Sequence, residues 1–188
     1  MKGVILAGGT GSRLFPLTKV TNKHLLPVYN KPMIYYPIEC MVKAGIDEVL
    51  LVTGGNNAGD FIRLLGNGRE FGLKGLNYTY QDGAGGIAQA LGLAEDFADG
   101  GSICLILGDN ILEYSIRDAC KKFRHQGQGA KILLAQVENP KAYGVAEIAT
   151  AGLQCALVIA QHGIGMVDAN RDARIEPASF VLRRQRCL

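Results

Sequence analysis

The residues in this sequence best suited to chemistry cluster around phosphate recognition. Leu6-Ala7-Gly8-Gly9-Thr10-Gly11-Ser12-Arg13-Leu14 is a glycine-rich run. Its glycines permit positive φ and let backbone N–H groups approach an anion closely. Arg13 offers a planar guanidinium that can clamp a polyphosphate through two parallel hydrogen bonds. Lys23 adds a compact cation near the same loop. Gln81 carries an amide with both a donor and an acceptor, the pairing that reads a pyrimidine edge. Asp109 follows the apolar run Ile103-Cys104-Leu105-Ile106-Leu107, where a carboxylate is costly unless a cation or hydrogen bonds answer it. A hard oxygen ligand for Mg²⁺, which binds through one or two carboxylates plus substrate phosphates, is one reading. A helix-capping aspartate is the other, as a plain glycine turn and a solvated lysine are for the loop and Lys23. Two common nucleotide motifs are absent: no Gly-Lys-Ser/Thr follows the loop, and Gly9-x-Gly11-x-x-Leu14 lacks the third small residue of the dinucleotide fingerprint. Pro16 delays the next helix and leaves the loop long.

These groups need a scaffold that brings distant segments to one edge. Runs rich in β-formers predict strands at Gly3 to Ala7, Glu48 to Thr53, Asn77 to Gln81, Ser102 to Gly108, Lys131 to Val137 and Val145 to Ile148. Between them, Ile34, Ile38, Met41 and Val42 form a helical stripe that stops at Gly45. Ile87, Leu91, Ala94 and Ala98 form a second; Ile116, Ala119, Cys120 and Phe123 form a third, with Ser115 as its N-cap. Alternating strands and helices predict an α/β fold with a mostly parallel sheet covered by helices. The glycine loop, Gln81 and Asp109 then all follow the carboxyl ends of strands, where such sheets bind ligands.

With 188 residues, 48% apolar and 20% charged, the chain is long and apolar enough for a packed core. No apolar stretch approaches the ~18 residues of a membrane helix, and Val4-Ile5-Leu6-Ala7 ends too soon for a signal-peptide core, so a cytoplasmic location is expected. A net charge of +3 gives no argument for nucleic acid or a membrane surface as partner. The five cysteines, Cys40, Cys104, Cys120, Cys155 and Cys187, are scattered and never in a Cys-x-x-Cys pair, which predicts buried free thiols. His24, His125 and His162 show no metal-ligand spacing.

From Met1 to about Ile148 the sequence resembles the sugar-1-phosphate nucleotidyltransferases, the glucose-1-phosphate thymidylyltransferase branch most closely. The resemblance rests on the glycine loop, Lys23-His24-Leu25-Leu26-Pro27-Val28, Lys31-Pro32-Met33-Ile34-Tyr35-Tyr36-Pro37, Gly85-Gly86-Ile87-Ala88-Gln89-Ala90 and Leu107-Gly108-Asp109-Asn110, in that order. It implies a three-layer, Rossmann-like sheet. It also implies a reaction in which glucose 1-phosphate attacks the α-phosphorus of dTTP, giving dTDP-glucose and pyrophosphate with Mg²⁺ as cofactor. Transfer from CTP, UTP, GTP or ATP is the alternative. By the same resemblance Arg13, Lys23 and Asp109 are catalytic, and Asp109 is the Mg²⁺ ligand. Leu6, Gly8, Gly9, Thr10, Gly11, Ser12, Arg13, Gln81 and Gly86 would bind the nucleotide, with Gly86 leaving room for the base. Asn110, Tyr143 and Gly144 would face the sugar. Homo-oligomerisation is possible in such enzymes.

Residues 149–188 do not continue the pattern. Lysines outnumber arginines two to one up to Ile148, yet from Ala149 onward every lysine is gone and Arg171, Arg174, Arg183, Arg184 and Arg186 carry the charge. The family's Glu-Lys-Pro element and second metal-site aspartate find no counterpart there. The expectation is a nucleotide-binding region over 1–148, a divergent tail over 149–188, and a sheet cut short with an apolar edge exposed. The competing readings are an active transferase, a nucleotide-binding fragment and an interaction module on the same fold.

Overall fold

The computed structural model describes residues 1–9, 11–83, 85–126, 129–133 and 164–168, the last group through its backbone. In chain order the elements are β1 (Lys2–Ala7), β2 (Pro27–Val28), β3 (Lys31–Pro32), α1 (Tyr35–Lys43), β4 (Glu48–Gly54), α2 (Ala58–Leu65), β5 (Gly75–Gln81), α3 (Gly86–Gly92), α4 (Glu95–Ala98), β6 (Ser102–Leu107), α5 (Arg117–Gln126), β7 (Ala130–Leu133) and β8 (Ile164–Asp168). Short 3-10 turns at Ser12–Leu14, Leu17–Lys19 and Lys23–Leu25 carry the chain from β1 to the β2–β3 pair.

The main sheet runs β5-β4-β1-β6-β8-β7. β1 pairs in parallel with β4 (Ile5↔Leu51) and with β6 (Val4↔Leu105), and β4 pairs in parallel with β5. Alternation along the central strands separates two cores. Ile5, Leu51, Cys104 and Ile106 face Ile34, Ile38 and Met41 of the α1 region, Phe61 of α2, and Cys120 and Phe123 of α5. Val4, Leu6, Leu50, Val52, Ile103, Leu105 and Leu107 face Ala90 and Leu91 of α3, Ala94, and Ala98 of α4. The layering is therefore helix, sheet, helix, and the apolar run of β6 is buried on both faces as a central strand should be.

Local signals account for most boundaries. Gly45, at φ +78, ends α1 in a Schellman arrangement: its N–H donates to Val42 O at 2.9 Å while Ile46 N–H donates to Met41 O at 3.0 Å. Ser115 caps α5, its hydroxyl accepting the Arg117 N–H at 3.2 Å. The expected second helix is two helices. Leu93 N–H reaches Gln89 O at a stretched 3.3 Å, Ala94 N–H turns to Leu91 O at 2.9 Å, and the chain restarts as α4. Gly92, a poor residue for a helix interior, stands at the break. α2 was not expected, because eight residues interrupted by Gly59 give a weak helical pattern; Phe61 and Leu65 nonetheless bury it. Cys104 and Cys120 are buried free thiols and Cys40 is half-buried; Cys155 and Cys187 lie outside the described residues. No helix among the described residues is long and apolar enough to cross a membrane.

The sheet does not stop at β6. β8, from within residues 149–188, pairs antiparallel with β6 (Leu105↔Gly165) and again with β7 (Ile132↔Gly165). The expected bare edge on β6 is thus occupied by main-chain pairing from the tail. Of the expected strand at Lys131 to Val137, β7 supplies the part up to Leu133; the rest, and the expected strand at Val145 to Ile148, lie outside the described residues.

Candidate nucleotide site

The carboxyl ends of β1, β4, β5 and β6 meet at one edge, and the expected residues gather there. β1 ends at Ala7 and the chain enters the glycine loop. Gly9 has φ +105 and Gly11 φ +59, a backbone that side-chain-bearing residues seldom adopt. Gly11 is constrained twice, since a Cβ there would lie 2.8 Å from Thr18 Cγ2 and 3.2 Å from Lys23 Cβ. Its carbonyl accepts the Thr18 hydroxyl at 2.9 Å and the Leu14 N–H at 2.9 Å, which folds the loop back toward Lys23. Gly11→Ala should therefore destabilise the protein by about 1–3 kcal/mol through strain and crowding together. Equilibrium urea unfolding measures this, and an unchanged midpoint would mean that the loop relaxes freely.

Lys23 and Asp109, far apart in sequence, form the centre of the site. The Lys23 ammonium donates to Asp109 Oδ2 at 2.6 Å, with the two side chains 25% and 24% exposed. Partial burial pushes the Asp109 carboxyl upward, but the hydrogen bond and charge of Lys23 outweigh it and hold the group below its ordinary value. Both ions remain open to solvent on one side, so an arriving anion or cation can compete for either.

Gln81, at the end of β5, is buried against Gly8, where a Cβ would lie 3.3 Å from its Oε1. Its Nε2 donates to Gly86 O at 2.9 Å and to Gln89 Oε1 at 2.8 Å. The sequence reading, in which both halves of this amide face a base, is thereby modified: the donor half is engaged within the protein and the acceptor half is turned toward the glycine loop. Gly86 (φ +81) opens α3 beside it.

Ser12 and Arg13 stand exposed on the turn after the loop, close in sequence to the site but reaching over solvent. Leu6 is buried in the sheet, where its carbonyl accepts the Gly108 N–H at 2.8 Å, so its side chain is core rather than contact surface. Asn110 is buried beside Asp109. Thr10, Tyr143 and Gly144 lie outside the described residues.

Sequence reasoning passed over Asn22 and His24. Asn22 Oδ1 accepts the His24 N–H at 3.0 Å and lies 2.6 Å from His24 Nδ1, while its Nδ2 donates to Ala7 O at 3.4 Å. Burial, reinforced by the adjacent Lys23 charge, depresses His24 to about 3. The signal was their position: both flank Lys23, His24 inside the motif already singled out and Asn22 just before it.

A glycine loop, a lysine and a carboxylate come together at the carboxyl edge of a largely parallel sheet, the place where open α/β sheets bind their ligands. Comparison with known sequences makes this specific. The chain belongs to the Nucleotidyl transferase family, whose sequence profile matches residues 2–159. It is 45% identical over 148 residues to a glucose-1-phosphate thymidylyltransferase of Neisseria meningitidis serogroup A, covering 78% of this chain and 51% of that protein. Against the enzyme of that name from Mycobacterium tuberculosis it is 42% identical over 158 residues, covering 84% and 54%. The chain thus spans about half the length of the curated relatives it matches. Among solved structures, a Bacillus anthracis protein provisionally assigned as a glucose-1-phosphate thymidylyltransferase, in complex with a sucrose, superposes with a TM-score of 0.80 at 44% identity, covering 90% of this chain and 72% of that one. A UDP-glucose pyrophosphorylase complexed with UDP-glucose shares the fold, with a TM-score of 0.62 at 22% identity.

Proposed function

We propose that this chain binds a thymidine or uridine triphosphate across the carboxyl ends of β1, β5 and β6, and that the site serves nucleotidyl transfer to a sugar 1-phosphate, glucose 1-phosphate by analogy with its relatives. The observation that carries this is the Lys23 and Asp109 pair held against the glycine loop. In the reaction a sugar-phosphate oxygen forms a bond to the α-phosphorus of the triphosphate as the bond to pyrophosphate breaks. No protein nucleophile is required. Loop N–H groups, Arg13 and Lys23 hold the phosphates in place and neutralise the charge that builds on them.

Asp109 suits Mg²⁺ in donor chemistry, being a hard oxygen ligand with one of its two oxygens engaged by Lys23. Among the described residues no cluster of three or more potential ligands surrounds it. A metal at Asp109 would therefore depend on substrate phosphates for much of its coordination. When bound, Mg²⁺ supplies charge neutralisation on the phosphate oxygens.

Base choice falls to Gln81 Oε1, the acceptor left facing Gly8. An acceptor there suits the N3–H of thymine or uracil; cytosine has no N3–H and could offer only its N4 amino group, from a different position on the base edge. Competition binding should rank dTTP and UTP above ATP, GTP and CTP. Tighter binding of ATP or GTP would remove Gln81 from the base site.

Arg13→Ala should weaken dTTP binding by about 1.5–3 kcal/mol, the range for hydrogen bonds to charged groups. Titration calorimetry compares the two proteins, and equal affinity would exclude Arg13 from phosphate contact. Pyrophosphate release from dTTP with glucose 1-phosphate tests the transfer itself. Binding without release would assign nucleotide binding alone to the chain.

A further inference from the structure

Lys23 is a long, flexible side chain that could point in many directions, yet it rests on Asp109. The residues on either side of it are among the most buried polar groups of the protein, Asn22 at 6% and His24 at 1% exposed. Asn22 ties two places together. Its Nδ2 donates to Ala7 O, the last residue of β1, so its Oδ1 must be the atom facing His24. Since Oδ1 only accepts, the 2.6 Å contact to His24 Nδ1 requires the proton on Nδ1. The same Oδ1 takes the His24 N–H.

His24 completes the arrangement. Its carbonyl accepts the Ile34 N–H at 2.9 Å, at the entrance to α1. Its ring lies on Gly108, where a Cβ would fall 2.8 Å from Cδ2 and 3.2 Å from Nε2. Gly108 is the residue before Asp109, and its N–H is bonded to Leu6 O at 2.8 Å. One side of the clamp is thus fixed to the end of β1 and the other rests against the end of β6.

We infer that Asn22 and His24 are positioning residues that fix the backbone of Lys23 between the ends of β1 and β6, so that its ammonium meets Asp109 and the phosphates with little freedom to leave. The role for phosphate rests on the nucleotide-binding reading above; the hold on Lys23 itself does not.

Two substitutions separate this clamp from ordinary core packing. His24→Asn keeps an N–H donor near the Nδ1 position but loses ring volume. His24→Leu keeps much of the volume but loses the donor. The first readout is the rate at which a small amine-acylating reagent modifies Lys23, followed by mass spectrometry with exposed Lys74 as internal reference. Modification of Lys23 should be slow in the wild type and in His24→Asn, and several-fold faster in His24→Leu. Asn22→Ala, which removes the acceptor and leaves the histidine in place, should match His24→Leu and serves if that variant does not fold. The second readout is dTTP affinity with Mg²⁺, which should fall about tenfold in His24→Leu and Asn22→Ala and stay near wild type in His24→Asn. In a Lys23→Met background those losses should vanish. Fast Lys23 modification in His24→Asn with protection in His24→Leu would show that volume is what matters and overturn the clamp. Unchanged modification in all variants would do the same. Failure of the wild type to bind dTTP would instead strike the functional reading, with the acylation rates still deciding the clamp.

Discussion

Asp109→Asn should remove most of the gain in dTTP affinity that Mg²⁺ confers, and should raise affinity in the presence of EDTA. Both effects follow from the 2.6 Å contact with Lys23. In the wild type without metal, part of the Lys23 charge is spent on the carboxylate, and that carboxylate also repels a triphosphate. Asparagine removes the negative charge and leaves the ammonium free for phosphate. With Mg²⁺ present, the variant has lost its hard anionic ligand and gains nothing from the cation. A charged hydrogen bond in a partly exposed site is worth about 1.5–3 kcal/mol, so each change should be about tenfold or more. Titration calorimetry with and without Mg²⁺ measures the four affinities. A metal-dependent gain equal to that of the wild type would show that Asp109 is not the metal ligand. The pair is only a quarter exposed but faces solvent, so the fold should survive the substitution with little change in its urea midpoint.

Acid should destabilise the protein well above the range where ordinary carboxylates titrate, and His24 is the reason. Its folded value of about 3 lies below the ordinary 6.5 because burial and the neighbouring Lys23 disfavour the imidazolium. The unfolded chain therefore takes up a proton first as pH falls. Stability is full above about pH 6.5 and is lost as pH drops through the window from 6.5 toward 3. Between pH 6.5 and 4 the loss should reach about 3 kcal/mol, at roughly 1.4 kcal/mol per pH unit. Asp109, whose folded value is lowered, adds a loss in the same direction at still lower pH. Urea midpoints from pH 7 to 4 should fall steeply in the wild type and much less in His24→Asn. Parallel slopes in the two proteins would place the acid sensitivity elsewhere.

The central strands β1, β4 and β6 were legible because they are buried on both faces. Val4 to Ala7, Val49 to Val52 and Ile103 to Leu107 are apolar runs too short for helices, and nothing in the tertiary structure competes with that reading. The glycine loop was legible through Gly9 and Gly11, whose positive φ values leave few other residues possible. What one sequence could not display is contact between segments. Lys23 and Asp109 were each identified, but their ion pair depends on β1 lying beside β6. The engagement of the Gln81 donor by Gly86 and Gln89 depends on how α3 starts. His24 carried no metal-ligand spacing, and its burial against Gly108 leaves no trace in local composition. β8 was missed for another reason: Ile164–Asp168 is a run of five residues interrupted by Gly165, too weak a strand pattern to single out.

The placement of β8 bears on the order in which the chain can fold during synthesis. In the main sheet β4, β5 and β6 each pair with a strand already made, so the edge that carries the candidate site can assemble soon after β6 leaves the ribosome. Leu105 of β6, however, finds its partner at Gly165, sixty residues later. At about 5–20 residues per second of translation, β6 waits several seconds with its outer hydrogen-bonding edge unpaired. During that interval the nascent chain displays the open, apolar strand border that invites pairing with another copy or recruits a chaperone.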